Sequence, residues 1–149
     1  MPKSPPLDPP LGELVTAVRI ISAVGHVLAP MLLFPRVRYK QHFLRGAPRE
    51  SAEKSSKSGW INQEIFVDFL DHVGTTTCFF PDRKILIILY NREAHISLAA
   101  IDKARECGIV LLTIPPHTSH KLQPLDRTVY GPFKTSYNKA MDNWLRFHP

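Results

Sequence analysis

The chain has 149 residues, a formal net charge of +6, 44% hydrophobic residues and two cysteines. That length suits one domain with its own core, held together without disulfides or a structural metal, and Cys78 and Cys107 read as packed thiols of a reducing compartment. No apolar run approaches the ~20 residues of a membrane helix, and the opening MPKSPPLDPP lacks the apolar stretch of a secretory signal, so membrane-spanning and secreted classes are excluded and an intracellular chain is expected.

Residues 1–10 contain five prolines and read as a disordered arm, because proline cannot donate to a sheet ladder. Residues 14–24 are rich in β-branched side chains, and a second apolar run covers 27–34 after Gly25-His26. The pattern predicts two antiparallel strands joined by a type II′ hairpin, with Pro30 placing the second strand at a sheet edge or at a bend. Next comes a basic stretch, 36–58. Between Arg36 and Lys57 lie Arg38, Lys40, Arg45, Arg49 and Lys54, against only Glu50 and Glu53, so most of the net charge is concentrated there. It reads either as a phosphate-binding surface or as a solvated linker.

Ile61, Ile65, Phe66, Phe69, Leu70 and Val73 follow helical spacing, with Asn62 as the cap and Gly74 as the stop. His72, near the end of that helix, reads as a solvated residue. Residues 84–90, KILIILY, form a continuous apolar run expected to be a strand covered on both faces. A helix over 97–107 with Gly108 just beyond its end, then a strand over 109–114, completes a strand-helix-strand unit whose two strands should be parallel. Parallel strands send residues 91–93 and 115–120 out at the same end. The last segment carries Tyr130, Phe133, Tyr137, Met141 and Trp144 at helical spacing, which predicts a long helix from near Gly131 packing its aromatic stripe on the core.

The phrases FPRVRYKQHFLRGAP, SGWINQEIF, HISLAAIDKARECGIVLLTIPPHTSHKLQPLD and VYGPFKTSYNKAMD, in this order and spacing, resemble the DDE superfamily endonuclease domain of pogo, Tigger and jerky transposases. The resemblance implies an α/β, RNase H-like mixed sheet of three antiparallel and two parallel strands with helices on both faces. It also implies an ancestral magnesium-dependent cleavage and joining of DNA, with two Mg²⁺ ions about 4 Å apart held by carboxylates. Residues 11–149 would form that domain, truncated at the N-terminus and lacking the first, central strand, since only the proline-rich arm and its Asp8 precede residue 14. Such a gap in the sheet predicts marginal stability.

The family's third carboxylate matches Asp126 of Gln123-Pro124-Leu125-Asp126, a position where an aspartate capping a helix is the alternative role. Its second phrase matches at Asn91 and His95, but Tyr90 stands at the aspartate position, and a phenol stays neutral at pH 7. Glu93 lies in the following turn and is a poor substitute. With one carboxylate matched of three, the expectation is a degenerate, catalytically inactive domain with no cofactor of its own, although Mg²⁺ serves the ancestral family. DNA would be the partner, bound in the nucleus through Arg36, Arg38, Lys40, His117, His120 and Lys121, with Arg127 and Lys134 near the old site. No small-molecule substrate is implied. The alternative is a remnant that recruits a protein through exposed strand edges, or a gene fragment without DNA binding. A zinc site from His95, His117 and His120 fits no standard ligand spacing.

Overall fold

The computed structural model describes residues 15–37, 41–77 and 84–148. The proline-rich arm with Asp8, and Arg38, Lys40 and Cys78, lie outside them. The elements belong to two units, Met1–Phe79 and Phe80–Pro149, in a mixed α/β arrangement of two small sheets with helices.

In the first unit, β1 (Thr16–Val18) pairs antiparallel with β2 (Met31–Pro35), Thr16 facing Leu33 and Val18 facing Met31. The hairpin is as expected, but its turn is not. An isolated bridge joins Ile21 to Val27, and the Gly25 amide donates to the Ser22 carbonyl at 2.9 Å while the Ser22 amide donates to that of His26 at 2.8 Å. The loop therefore has three residues, Ala23, Val24 and Gly25, and Gly25 closes it with φ of 86°. That arrangement matches a turn followed by a glycine bulge, whereas a type II′ turn would place glycine first.

Pro30 does not put its strand at an edge. β2 is the middle strand, because β3 (Ala52–Ser56) pairs with it in parallel from Met31–Ala52 to Pro35–Ser56. Pro30 sits one residue before the ladder and supplies only a carbonyl, which accepts from the Ala52 amide at 3.0 Å. Its missing N–H is thus never required. β3, with sequence AEKSS, lies inside the stretch read as a basic linker. The connection to it passes through a 3-10 turn at Gln41–Leu44, where the Phe43 ring stacks on Phe34 with centroids 4.8 Å apart.

Helix α1 (Gln63–Thr76) starts where the sequence indicates, with Asn62 Oδ1 accepting from the Ile65 amide at 2.8 Å. Such a cap stabilises a helix by about 1 kcal/mol. Gly74 does not stop it. The helix runs on to Thr76 with Gly74 buried in its last turn. Ile65, Phe66, Phe69, Leu70 and Val73 are buried, as are Met31 and Leu33 of β2, each contributing on the order of 1.5–3 kcal/mol of apolar burial. Lys54 of β3 reaches Asp68 of α1 at 2.8 Å. His72 is not solvated: its Nε2 lies 2.9 Å from the Ala29 carbonyl and ties the helix to the approach of β2.

The second unit contains the expected strand-helix-strand motif. β4 (Ile85–Tyr90) and β5 (Ile109–Ile114) are parallel and in register from Ile85–Ile109 to Tyr90–Ile114. Between them, α2 (Leu98–Glu106) is capped by Ser97, whose Oγ accepts from the Ala100 amide at 3.3 Å, and Gly108 leaves it at φ of 60°. Ala100 and Ala104 are buried on α2 with Leu89 of β4 and Ile109 of β5. The small alanines let helix and strands approach closely.

The expectation that β4 is covered on both faces fails among the described residues. Leu86 and Ile88 of β4 and Val110 and Leu112 of β5 are exposed, with Leu86 at 57% and Leu112 at 50%. After β5 come α3 (Ser119–Leu122), α4 (Pro124–Thr128) and the 18-residue α5 (Tyr130–Phe147). The long final helix is as expected, with Pro132 in its first turn, but its stripe does not pack on the core. No residue of α5 is buried, and Tyr137, Met141 and Trp144 are exposed.

Candidate functional site

The parallel register brings the turns that follow β4 and β5 to one end of the sheet. Tyr90 and Ile114 are paired as the last residues of β4 and β5, so residues 91–95 and 115–120 leave side by side. This is the end where α/β folds bind ligands.

The turn after β4 is built around Tyr90. The chain stays extended through Arg92, at φ of −132° and ψ of 150°. Alternation along an extended segment puts residues 90 and 92 on one side, and the Arg92 guanidinium carbon lies 5.3 Å from the centre of the Tyr90 ring. An exposed cation-aromatic contact of this kind is worth about 0.5–1 kcal/mol. The 3-10 turn Glu93–His95 then carries His95 back into the fold. His95 is only 4% exposed, its Nδ1 is 2.9 Å from the Tyr90 carbonyl, and its ring meets the Tyr90 ring edge-on with centroids 5.0 Å apart.

Because a carbonyl only accepts, Nδ1 carries the proton in that bond. Burial lowers the His95 pKa from 6.5, against an opposing contribution from the bond to Tyr90, and the positive charge of Arg92 lowers it further. The imidazole is therefore neutral at pH 7 and acts as a pin between the strand end and the turn. Asn91 and Glu93 are exposed. Arg92 has no role in the sequence motif, and the signal that could have found it is its spacing of two from Tyr90 along an extended segment.

At the end of β5, Pro115 and Pro116 end the ladder and His117 turns the chain with φ of 60°, a left-handed conformation rare for a residue with a Cβ. Thr118 closes the turn, its Oγ1 donating to the Pro115 carbonyl at 2.6 Å, and its own carbonyl accepts from the Lys121 and Leu122 amides as α3 begins. His117, His120 and Lys121 are exposed, and Gln123 is buried just ahead of α4. Asp126 is exposed in the first turn of α4, where a carboxylate complements the helix dipole. The residue at the cap position is Gln123, which makes no side-chain capping bond.

A pair of magnesium ions requires convergent carboxylates. The residues present do not fit that requirement: β4 ends in a neutral phenol, and among the described residues no three His, Cys, Asp or Glu side chains come together in a metal-binding group. The same holds for a zinc centre built on His95, His117 and His120. What the strand ends offer is the Tyr90 ring under Arg92, with exposed Glu93 in the same turn and Asp126 further along the chain as the acids.

Arg127 of α4 and Lys134 of α5 are exposed in the second unit, and the remaining candidate cations belong to the first. Arg45, Arg49 and Lys57 are exposed. Arg36 is half-buried, with its backbone amide donating to the Phe34 carbonyl at 2.8 Å. Lys54 spends its charge on Asp68, in a half-exposed pair worth no more than about 1 kcal/mol.

The sequence model of the family described as DDE superfamily endonuclease matches residues 13–147. Among curated proteins, the chain is 32% identical over 148 residues to a protein named MFS-type transporter clz9 from Cochliobolus lunatus, a match that takes in 95% of this chain and 16% of that protein. The chain thus spans about a sixth of the length of that relative. No helix among the described residues is long and apolar enough to cross a membrane. No solved structure matches the chain.

Proposed function

The chain belongs to the DDE superfamily endonuclease family, matched over residues 13–147, and from that premise we propose that it is a degenerate domain which binds DNA without cleaving it. The observation that carries this reading is the end of β4. Tyr90 ends the strand at the position of the family's second aspartate, with Arg92 over its ring and His95 against its edge. The Arg92 guanidinium over the ring repels a divalent cation and suits a phosphate. Asp126, exposed on α4, has no partner carboxylates among the described residues to complete a two-metal clamp.

Nucleic acid is the ligand that the remaining chemistry favours. Exposed Arg45, Arg49 and Lys57 in the first unit, and Lys121 beyond β5 in the second, supply cations without, among the described residues, an acidic partner of the kind that Lys54 has, and His117 and His120 lie exposed beside Lys121 in sequence. Arg36, Arg38 and Lys40 extend the basic run in sequence. The resemblance of the motifs to those of the pogo, Tigger and jerky transposases supports a DNA ligand, and on this reading the domain acts in the nucleus. The exposed apolar face of β4 and β5 favours a second reading, a protein-binding remnant.

Salt dependence separates the two readings. Binding to duplex DNA should weaken steeply with salt, and Arg45→Ala with Arg49→Ala and Lys57→Ala should weaken it alike for every sequence. The same triple variant should reduce the slope of log K against log [salt] by about 1 for each phosphate no longer neutralised. Binding that is absent or insensitive to salt refutes the DNA reading.

A further inference from the structure

Strand β3 ends in a turn that holds a tryptophan at the surface. The Gly59 amide donates to the Ser56 carbonyl at 3.2 Å and to Ser56 Oγ at 3.1 Å. Ser56 Oγ in turn donates to the Trp60 carbonyl at 3.4 Å, and the Trp60 amide donates to Ser58 Oγ at 3.3 Å. Gly59 is buried at φ of 67°, and a Cβ there would lie 3.0 Å from that of Pro35. Both facts call for glycine. The turn is thus fixed against β2, yet the indole that follows it is 56% exposed.

Three residues converge on this corner. Pro35 and Ser56 are the last paired residues of β2 and β3, and Gly59 rests on Pro35. Arg36, Lys57 and Trp60 each follow one of these three in the chain, so the parallel register and the glycine contact bring their backbones to one corner of the sheet. Lys57 is exposed without, among the described residues, an acidic partner, and Arg36 is half-buried. A lone exposed aromatic is ordinary on a protein surface, but a tryptophan on a hydrogen-bonded turn beside two cations selects a ligand. An indole face takes planar or cationic groups, and Lys57 and Arg36 oppose a cation. A planar base joined to a phosphate suits both the ring and the charges.

In a continuous duplex the bases stack on one another and their faces are out of reach, whereas single-stranded bases offer a free face. We propose that Trp60 stacks on an unpaired base of DNA while Lys57 and Arg36 hold an adjacent phosphate, so that the domain prefers interrupted to continuous duplex. This inference rests on the DNA reading above and adds to it a class of substrate.

The test compares two labelled duplexes of one length and sequence, one continuous and one with a short single-stranded gap, by fluorescence anisotropy with the full chain. Wild type should bind the gapped DNA roughly tenfold more tightly, the size of one base–aromatic stack. In Trp60→Ala the two DNAs should bind alike, and Trp60→Phe should keep part of the preference. Salt-sensitive binding of wild type that is equal for the two DNAs overturns this inference and leaves the DNA reading standing. Absence of binding to either overturns both, and a preference that survives in Trp60→Ala overturns the role of the indole. Should Trp60→Ala misfold, emission decides, because Trp144→Phe leaves Trp60 as the one tryptophan of the chain. Its emission should be quenched by gapped DNA and much less by continuous duplex. Equal quenching by the two, or none, overturns the proposal.

Discussion

Replacing His95 by alanine removes the pin between the end of β4 and the turn that follows it. The imidazole is 4% exposed, donates from Nδ1 to the Tyr90 carbonyl at 2.9 Å and packs edge-on against the Tyr90 ring. Loss of the hydrogen bond costs about 1 kcal/mol net, and more if the carbonyl is left unsatisfied. Loss of the aromatic contact adds about 0.5–1.5 kcal/mol, and the void left by the ring brings the total to about 2–4 kcal/mol. Hydrogen exchange of the β4 and β5 amides reads this locally. At 1.4 kcal/mol per factor of ten, protection should fall roughly 30- to 1,000-fold. His95→Asn keeps a donor near the Nδ1 position and should recover part of the loss. A fall of less than about threefold in His95→Ala would mean that the hydrogen bond and ring contact do not hold the strand end.

The same end of the sheet should also respond to pH and to backbone substitution. Because burial lowers the His95 pKa from 6.5, the unfolded chain binds this proton more readily than the folded one. The stability of this region should be complete above pH 6.5 and decline as pH falls below it towards the folded-state value. Urea midpoints measured between about pH 7 and pH 5 should show the decline in the wild type and a flatter response in His95→Asn; identical profiles contradict the assignment. At His117, φ of 60° tolerates glycine or asparagine but opposes a β-branched side chain. His117→Val should therefore cost about 1–2 kcal/mol while His117→Gly is close to neutral in thermal unfolding, and equal costs for the two would argue that the backbone there is not left-handed.

The parts of this fold legible in the sequence are those fixed by local chemistry. Asn62 announces a helix start because a side-chain oxygen is needed for free amides, whereas Ser97, read as the first helical residue, proves to be the cap of its helix. The parallel pairing of β4 and β5 followed from a short helical crossover, and with it the convergence of residues 91–93 and 115–120. What failed depended on partners distant in sequence. β3 is polar and gives no apolar signal, yet pairing with β2 makes it a strand. His72 looks solvated until Ala29 is placed beside it. The run KILIILY suggested burial on both faces, but hydrophobicity alone does not say whether a cover is present. At the site, Tyr90 in place of an aspartate is a reading of the motif alone, whereas the contacts of Arg92 and His95 with its ring required the turn's geometry.

A member of a nuclease family that has kept the binding and lost the cleavage should show both properties in one tube. The full chain is incubated with labelled nicked and hairpin DNA while Mg²⁺ or Mn²⁺ is titrated, and binding and strand scission are followed in the same samples. Salt-sensitive binding with no metal-dependent scission is predicted, unchanged in Asp126→Ala. Scission that rises with metal and disappears in Asp126→Ala would show a working carboxylate site and overturn the reading of this domain as a binder alone.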